Sequence, residues 1–147
     1  MNQPPDLVGL LPHSGRMVMI DRVDQWDQDS IVCTSTRHLD PTNPLRGRGG
    51  LAAVCGLEFG AQAMAIHGSL VALRSAARST AAPRSGMIIA ANQLAWSSPL
   101  LDDAGALLTI RAWRLFGSDS QIVYGFALDG RVAGLVTGRA SVILGQP

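Results

Sequence analysis

Residues 54–68, VCGLEFGAQAMAIHG, are apolar or small at almost every position. They sit in a longer stretch, Leu51 to about Ala77, that no proline interrupts and that Ala, Leu, Met and Gln bias towards helix. A surface helix would carry a polar stripe. Here apolar residues surround the axis on nearly all sides, so the helix must be covered on most faces. Gly56, Gly60, Ala61, Ala63 and Ala65 keep it thin. Each glycine costs about 1 kcal/mol relative to alanine, which close packing against a sheet or second helix would offset. The same stretch nevertheless holds Glu58, Gln62 and His67. An acid costs about 2.5–3.5 kcal/mol in the middle of a membrane span, and arginines flank the run on both sides: Arg46 and Arg48 before it, Arg74 and Arg78 after it. The expectation is a helix buried inside a soluble protein, not a membrane segment.

The rest of the chain reads mainly as strand. DLVGLLPHSGR opens with a short helical turn that stops at Pro12. Strand-like runs follow at about Met17 to Trp26 and Ser30 to Arg37, joined by the turn signal DQDS. DPTNPLRGRGG is a loop dense in Pro, Gly and Asn. After the helix and the linker RSTAAPRSG come runs at about Met87–Trp96, Ala106–Phe116 and Gln121–Leu128. LDGR then signals a two-residue turn into a last strand, Val132–Leu144. The order is β-β-loop-long helix-β-β-β-β within one domain, residues 1–147. One helix cannot separate that many strands into βαβ units. An antiparallel sheet curled around a single buried helix satisfies both the helix and the sheet's apolar face. That α+β arrangement is the hotdog fold.

Composition removes several function classes. Net charge is +1, giving no bulk attraction to nucleic acid. All 12 basic residues are arginine, so lysine chemistry is excluded. Cys33 and Cys55 form neither a CxxC pair nor a metal-ligand cluster. The opening residues show no basic segment followed by a long apolar one, so a reducing cytoplasm is the expected compartment.

LLPHSGRMVMIDRVDQWD resembles the opening of the 3-hydroxyacyl-[acyl carrier protein] dehydratases of type II fatty acid synthesis, and LEFGAQAMAIHG resembles their helix, in which Glu is followed by Ala-Gln. The likeness is closer to a sister group of predicted dehydratases of aryl-polyene-type gene clusters, in which NPLR, similar helices and the Leu-Pro-His start occur together. It extends over residues 8–75. The resemblance implies a hotdog dehydratase with no metal or redox cofactor, with Glu58 in a catalytic position. One segment departs from the fatty-acid enzymes. Their Gly-His-Phe-Pro segment carries the catalytic base, whereas the comparable loop here, TNPLRGRGG, has no histidine and places Asn43 near that position.

Dehydration of a 3-hydroxyacyl thioester needs a base for the C2 proton, an acid for the departing hydroxyl, and donors for the thioester oxygen. A carboxyl withdrawn from water is more readily kept protonated, which suits Glu58 to the acid. Following the resemblance, amides near Ala52 to Val54, with Ala53 and Val54 as the principal candidates, would hold the thioester carbonyl at the helix N-terminus. The base lies among three histidines. His13 belongs to the shared Leu-Pro-His segment and His38 adjoins the loop that bears the base in the relatives. His67 is nine residues after Glu58, two and a half turns on, and faces the other way. Hotdog sites commonly form between two subunits, so His13 or His38 could reach Glu58 across a dimer. Gln62, one turn after Glu58, either orients that carboxyl or a loop carbonyl, or packs. Asn43 binds substrate or simply turns the chain before Pro44. Glu58 itself could instead cap a backbone group or pair with a buried arginine. Cys55 reads as an inert buried thiol.

The expected activity is therefore dehydration of a 3-hydroxyacyl thioester, carried on acyl carrier protein or coenzyme A, to the trans-2-enoyl thioester in fatty acid or polyene assembly. Arg46, Arg48, Arg74, Arg78 and Arg84 could dock an acidic carrier. The expected assembly is a homodimer or higher homo-oligomer, or a heterodimer with another hotdog protein, with no nucleic-acid or membrane partner. The alternatives are thioester hydrolysis, or a non-catalytic partner subunit or acyl-chain binder.

Overall fold

The long helix is sandwiched between a sheet and the chain's own N-terminal segment, as seen in a computed structural model that describes residues 7, 10–11, 14–76, 86–118 and 120–145. The helix α1 spans Gly56–Ala76. The strands are β1 (Arg22–Trp26), β2 (Ser30–Ser35), β3 (Gly86–Trp96), β4 (Leu108–Gly117), β5 (Gln121–Asp129) and β6 (Val136–Leu144). They form one six-stranded antiparallel sheet in the order β1-β2-β4-β5-β6-β3. This is the hotdog arrangement expected from the element order.

Period-two alternation gives the sheet its inner face: Ile31 and Cys33 on β2, Ile110 and Ala112 on β4, Tyr124, Phe126 and Leu128 on β5, Val136 and Ala140 on β6. Phe59, Ala63, Ile66 and Leu70 of α1 complete that core, while Leu10, Met19 and Ile20 join it from the N-terminal segment. Two covers, one on each side, explain why the helix has no polar stripe. The thinness of α1 is used at Gly60, where an added Cβ would lie 2.7 Å from the Phe126 ring. The opposite edge of the same ring is approached by Gly138, where an added Cβ would lie 2.8 Å from it. Gly60→Val is therefore expected to destabilise by at least about 2 kcal/mol in urea unfolding. An unchanged midpoint would show that the helix does not approach the sheet this closely.

Three boundaries differ from the sequence reading, each because a distant group captures the backbone. The run MVMI is not strand: Gly15–Met17 forms a 3-10 turn and β1 starts only at Arg22. The Met17 carbonyl and the Met19 amide are taken by the Gln62 side chain. β2 stops at Ser35, whose hydroxyl donates to the Met19 carbonyl, and residues 37–39 turn into a 3-10 helix. LDGR is not a two-residue turn, and β6 begins at Val136 rather than Val132. The intervening loop is fastened by Arg131 N–H to the Ala104 carbonyl (2.7 Å) and by Gly134 N–H to Asp129 Oδ1 (2.7 Å), with Gly134 at φ 66°. The DQDS turn forms as expected, with Asp27 Oδ1 accepting from the amides of Asp29 and Ser30, each at 2.8 Å. No helix among the described residues is long and apolar enough to cross a membrane.

Candidate active site

Glu58 lies in the first turn of α1, half-buried, with Gln62 one turn further along the same face. Gln62 is fully buried and its amide is completely engaged. Nε2 donates to Glu58 Oε1 (2.9 Å) and to the Met17 carbonyl (2.7 Å), while Oε1 accepts from Met19 N–H (2.7 Å). These partners fix which end of the amide is which, because only the NH₂ end can donate to two oxygens. Of the two roles open to Gln62, the geometry shows orientation: it holds the Glu58 carboxyl and straps the N-terminal segment to the helix. A second strap runs from Ser69 Oγ to the Leu10 carbonyl, 3.1 Å.

The chain enters α1 through a 3-10 turn, Ala53–Cys55. Its approach is a short two-stranded contact in which Ala52 faces Leu100. Ala53 N–H donates to the Pro99 carbonyl (2.8 Å), Leu101 N–H donates to the Leu51 carbonyl (2.8 Å), and Cys55 N–H donates to the Ala52 carbonyl (2.9 Å). The Ala53 amide is thus committed to protein, whereas Val54 stands 50% exposed beside it. Cys55 is partly buried, and burial followed by the Glu58 charge pushes its thiol up, away from thiolate chemistry.

Within the chain, His38 and Asn43 have backbone partners of their own. His38 does not end a strand but sits in the 3-10 turn after β2, fully buried. Its Nε2 is 2.7 Å from the Gly105 carbonyl, so Nε2 carries the proton and donates. Nδ1 is then a lone-pair acceptor with no partner among the described residues. Asn43, also buried, donates from Nδ2 to the Arg37 carbonyl (2.9 Å) and accepts at Oδ1 from Leu45 N–H (2.9 Å), which is turn work. His13 lies outside the described residues. His67 is a core group: Nδ1 accepts from Tyr124 OH (2.7 Å) and Nε2 donates to the Asp27 carbonyl (2.9 Å).

Burial disfavours the charged imidazolium and pushes His38 below its ordinary 6.5, with the Gly105 carbonyl and Asp102 opposing only in part. His67 moves the same way, again chiefly through burial. Below 6.5 the unfolded chain binds protons that the folded one refuses, so stability rises with pH across that window. It should be full above pH 6.5 and decline as the pH falls below it, before the carboxylates titrate. A Tm series from pH 8 to pH 5 checks this; a Tm that climbs on acidification would contradict it.

Sequence reasoning missed Asp102. Its carboxylate accepts from Leu51 N–H (2.8 Å) and pairs with Arg46 (2.7 Å). Nothing in LDDAG marks it. Arg46 is thus paired within the chain, and Arg74 lies over the Trp26 ring at 4.1 Å. Arg48 stays exposed, while Arg78 and Arg84 lie outside the described residues. Among the described residues no group of three or more His, Cys, Asp or Glu side chains could hold a metal ion. A trough lined by Trp113, Gly125, Thr137 and Arg139 lies on strands β4–β6 and includes neither Glu58 nor Gln62.

Comparison with known proteins agrees with this frame. Residues 5–147 match the family model ApeP-like, described as ApeP dehydratase. The dehydratase heterocomplex ApeI:P from Xenorhabdus doucetiae superposes with a TM-score of 0.79 at 20% identity, covering 99% of this chain and 93% of that one. A point mutant of the thioesterase SAV0944 from Staphylococcus aureus gives 0.60 at 12% identity, covering 84% and 92%. The E. coli PaaI protein of the phenylacetic acid degradation operon gives 0.60 at 15%, covering 82% and 80%. The comparison with curated proteins gives no match.

Proposed function

The chain belongs to the ApeP-like dehydratase family and is a hydro-lyase of polyene biosynthesis, and on that footing we propose that it dehydrates 3-hydroxyacyl groups held as thioesters on acyl carrier protein, with Glu58 as the acid and His13 as the base. The observation that carries this reading is the Glu58 carboxyl, half-buried at the start of a covered helix and held in one orientation by Gln62. In the reaction the base removes the C2 proton, the C3–O bond breaks as Glu58 delivers a proton to the leaving hydroxyl, and water departs. The Val54 amide holds the thioester oxygen as charge develops there, since its neighbours Ala53 and Cys55 are engaged.

His13 is preferred to His38 for its place in the shared Leu-Pro-His segment. It precedes Met17 by four residues, and the Met17 carbonyl is bonded to the same Gln62 amide that donates to Glu58. His38 is sealed from solvent and turned to Gly105. His13→Ala should lower turnover by about 10²–10⁴-fold, and His38→Gln should leave it within a few-fold. The reverse pattern would move the base to His38.

The partner surface in this reading is β3. Among the described residues it pairs only with β6, leaving an edge of eleven residues with Met87 and Trp96 65% and 48% exposed. A long edge of this kind invites another strand. A second hotdog subunit, identical or not, would extend the sheet there and close the site; an acidic carrier would meet the exposed Arg48. Incubation with 3-hydroxyacyl carrier protein, alone and with a hotdog partner, followed by intact mass, tests the reading. Loss of one water supports it, and release of free acid favours hydrolysis.

A further inference from the structure

We propose that Arg46 and Asp102 are positioning residues for the dehydration: together they fix the Leu51–Cys55 turn, and with it the Val54 amide, against the thioester oxygen. The inference rests on the reading that the Val54 amide binds that oxygen.

Arg46 makes three contacts at once, on two turns of the chain. Nη1 meets Asp102 Oδ2 at 2.7 Å, Nη2 donates to the His38 carbonyl, and Nε approaches the Asp40 carbonyl at 3.3 Å. Asp102 uses its other oxygen, Oδ1, for Leu51 N–H at 2.8 Å. The carboxylate therefore links the guanidinium to Leu51, two residues before the 3-10 turn that starts α1. Partial burial pushes the Asp102 carboxyl up, but Arg46 and the Leu51 amide outweigh it and hold the group ionised below the ordinary carboxylate range. The space around it is filled. Gly50, at φ 127°, passes so close that an added Cβ would lie 2.7 Å from Asp102 Oδ1. The Pro99–Leu101 segment holds Leu51 and Ala53 from the same side. Four residues thus lie between the NPLR loop and a turn whose geometry the reaction needs, and an ion pair spans the gap. This gives Arg46 of NPLR a task that neither the acid nor the base explains.

The geometry also says which substitution is informative. Asp102→Asn keeps an oxygen for Leu51 N–H but cannot pair with the guanidinium. Arg46→Ala removes the whole bracket, and Arg46→Lys keeps the charge with fewer donors in a fixed plane. The expected results are a fall in kcat of about 10–100-fold for Arg46→Ala, less for Arg46→Lys, with KM within about threefold. Amide exchange at residues 51–55 should quicken about tenfold or more, while the α1 core from 59 to 66 keeps its protection. Arg111→Ala, which removes an exposed pair with Asp129 on the sheet, should leave kcat within about twofold.

If Arg46→Ala does not fold, Asp102→Asn is read in its place by the same two measurements. Unchanged exchange at 51–55 overturns the bracket and leaves the role of Val54 standing. Faster exchange with unchanged kcat overturns the proposal from the other side, because a loosened turn would then not matter to the reaction. A rise in KM alone assigns Arg46 to binding and likewise overturns it.

Discussion

Glu58→Gln is expected to lower turnover by about 10²–10⁴-fold while the protein stays folded. The substitution keeps the size of the side chain and keeps an oxygen able to accept from Gln62 Nε2, whose bond to Glu58 is 2.9 Å. What it removes is the transferable proton. If Glu58 served only to satisfy Gln62, the glutamine would do nearly as well and the rate would hold. Steady-state assay of the dehydration beside a thermal melt separates the two: a large rate loss with a Tm within a few degrees is the predicted pair. Wild-type turnover in Glu58→Gln would remove the assigned acid.

The largest effect on stability is expected at Gln62. Gln62→Leu conserves volume at a fully buried position but deprives Met19 N–H, the Met17 carbonyl and Glu58 of their shared partner. Leaving buried polar groups without a partner costs about 1–3 kcal/mol each. With some relaxation the sum should be about 2–4 kcal/mol, which for a chain of this size lowers Tm by roughly 5–15 °C. The same loss frees the segment that leads back to His13 and releases the Glu58 rotamer, so turnover should fall as well, even where the variant is fully folded. A leucine variant as stable as the wild type would show that the N-terminal segment does not depend on this strap.

The helix and most strands were legible because their signals are local. An unbroken stretch without proline, apolar on all sides, leaves few options, and the alternation in β4 to β6 follows from one buried face. The misread pieces share a physical cause: groups far along the chain decide them. MVMI has the alternation of a strand, yet Gln62 takes the Met17 carbonyl and the Met19 amide, and β1 starts only at Arg22. LDGR has turn chemistry, yet Arg131 is drawn to the Ala104 carbonyl and the loop lengthens. At the site, Glu58 stood out as an acid among apolar neighbours. The role of Gln62 stayed open between packing and orientation until its three partners were known. The partner of His38, the Gly105 carbonyl, left no trace in the sequence because it lies 67 residues away. Asp102 gave no signal at all, since its importance comes from meeting Leu51 and Arg46 across the fold.

The central claim is that this hotdog chain eliminates water from a carrier-bound 3-hydroxyacyl group. Its most direct test is the intact mass of 3-hydroxyacyl carrier protein after incubation with the enzyme, in the presence of a hotdog partner subunit. The account predicts a product lighter by one water, with the acyl group still attached to the carrier and its formation abolished in Glu58→Gln. Carrier stripped of its acyl group, with free 3-hydroxy acid in solution, would contradict it.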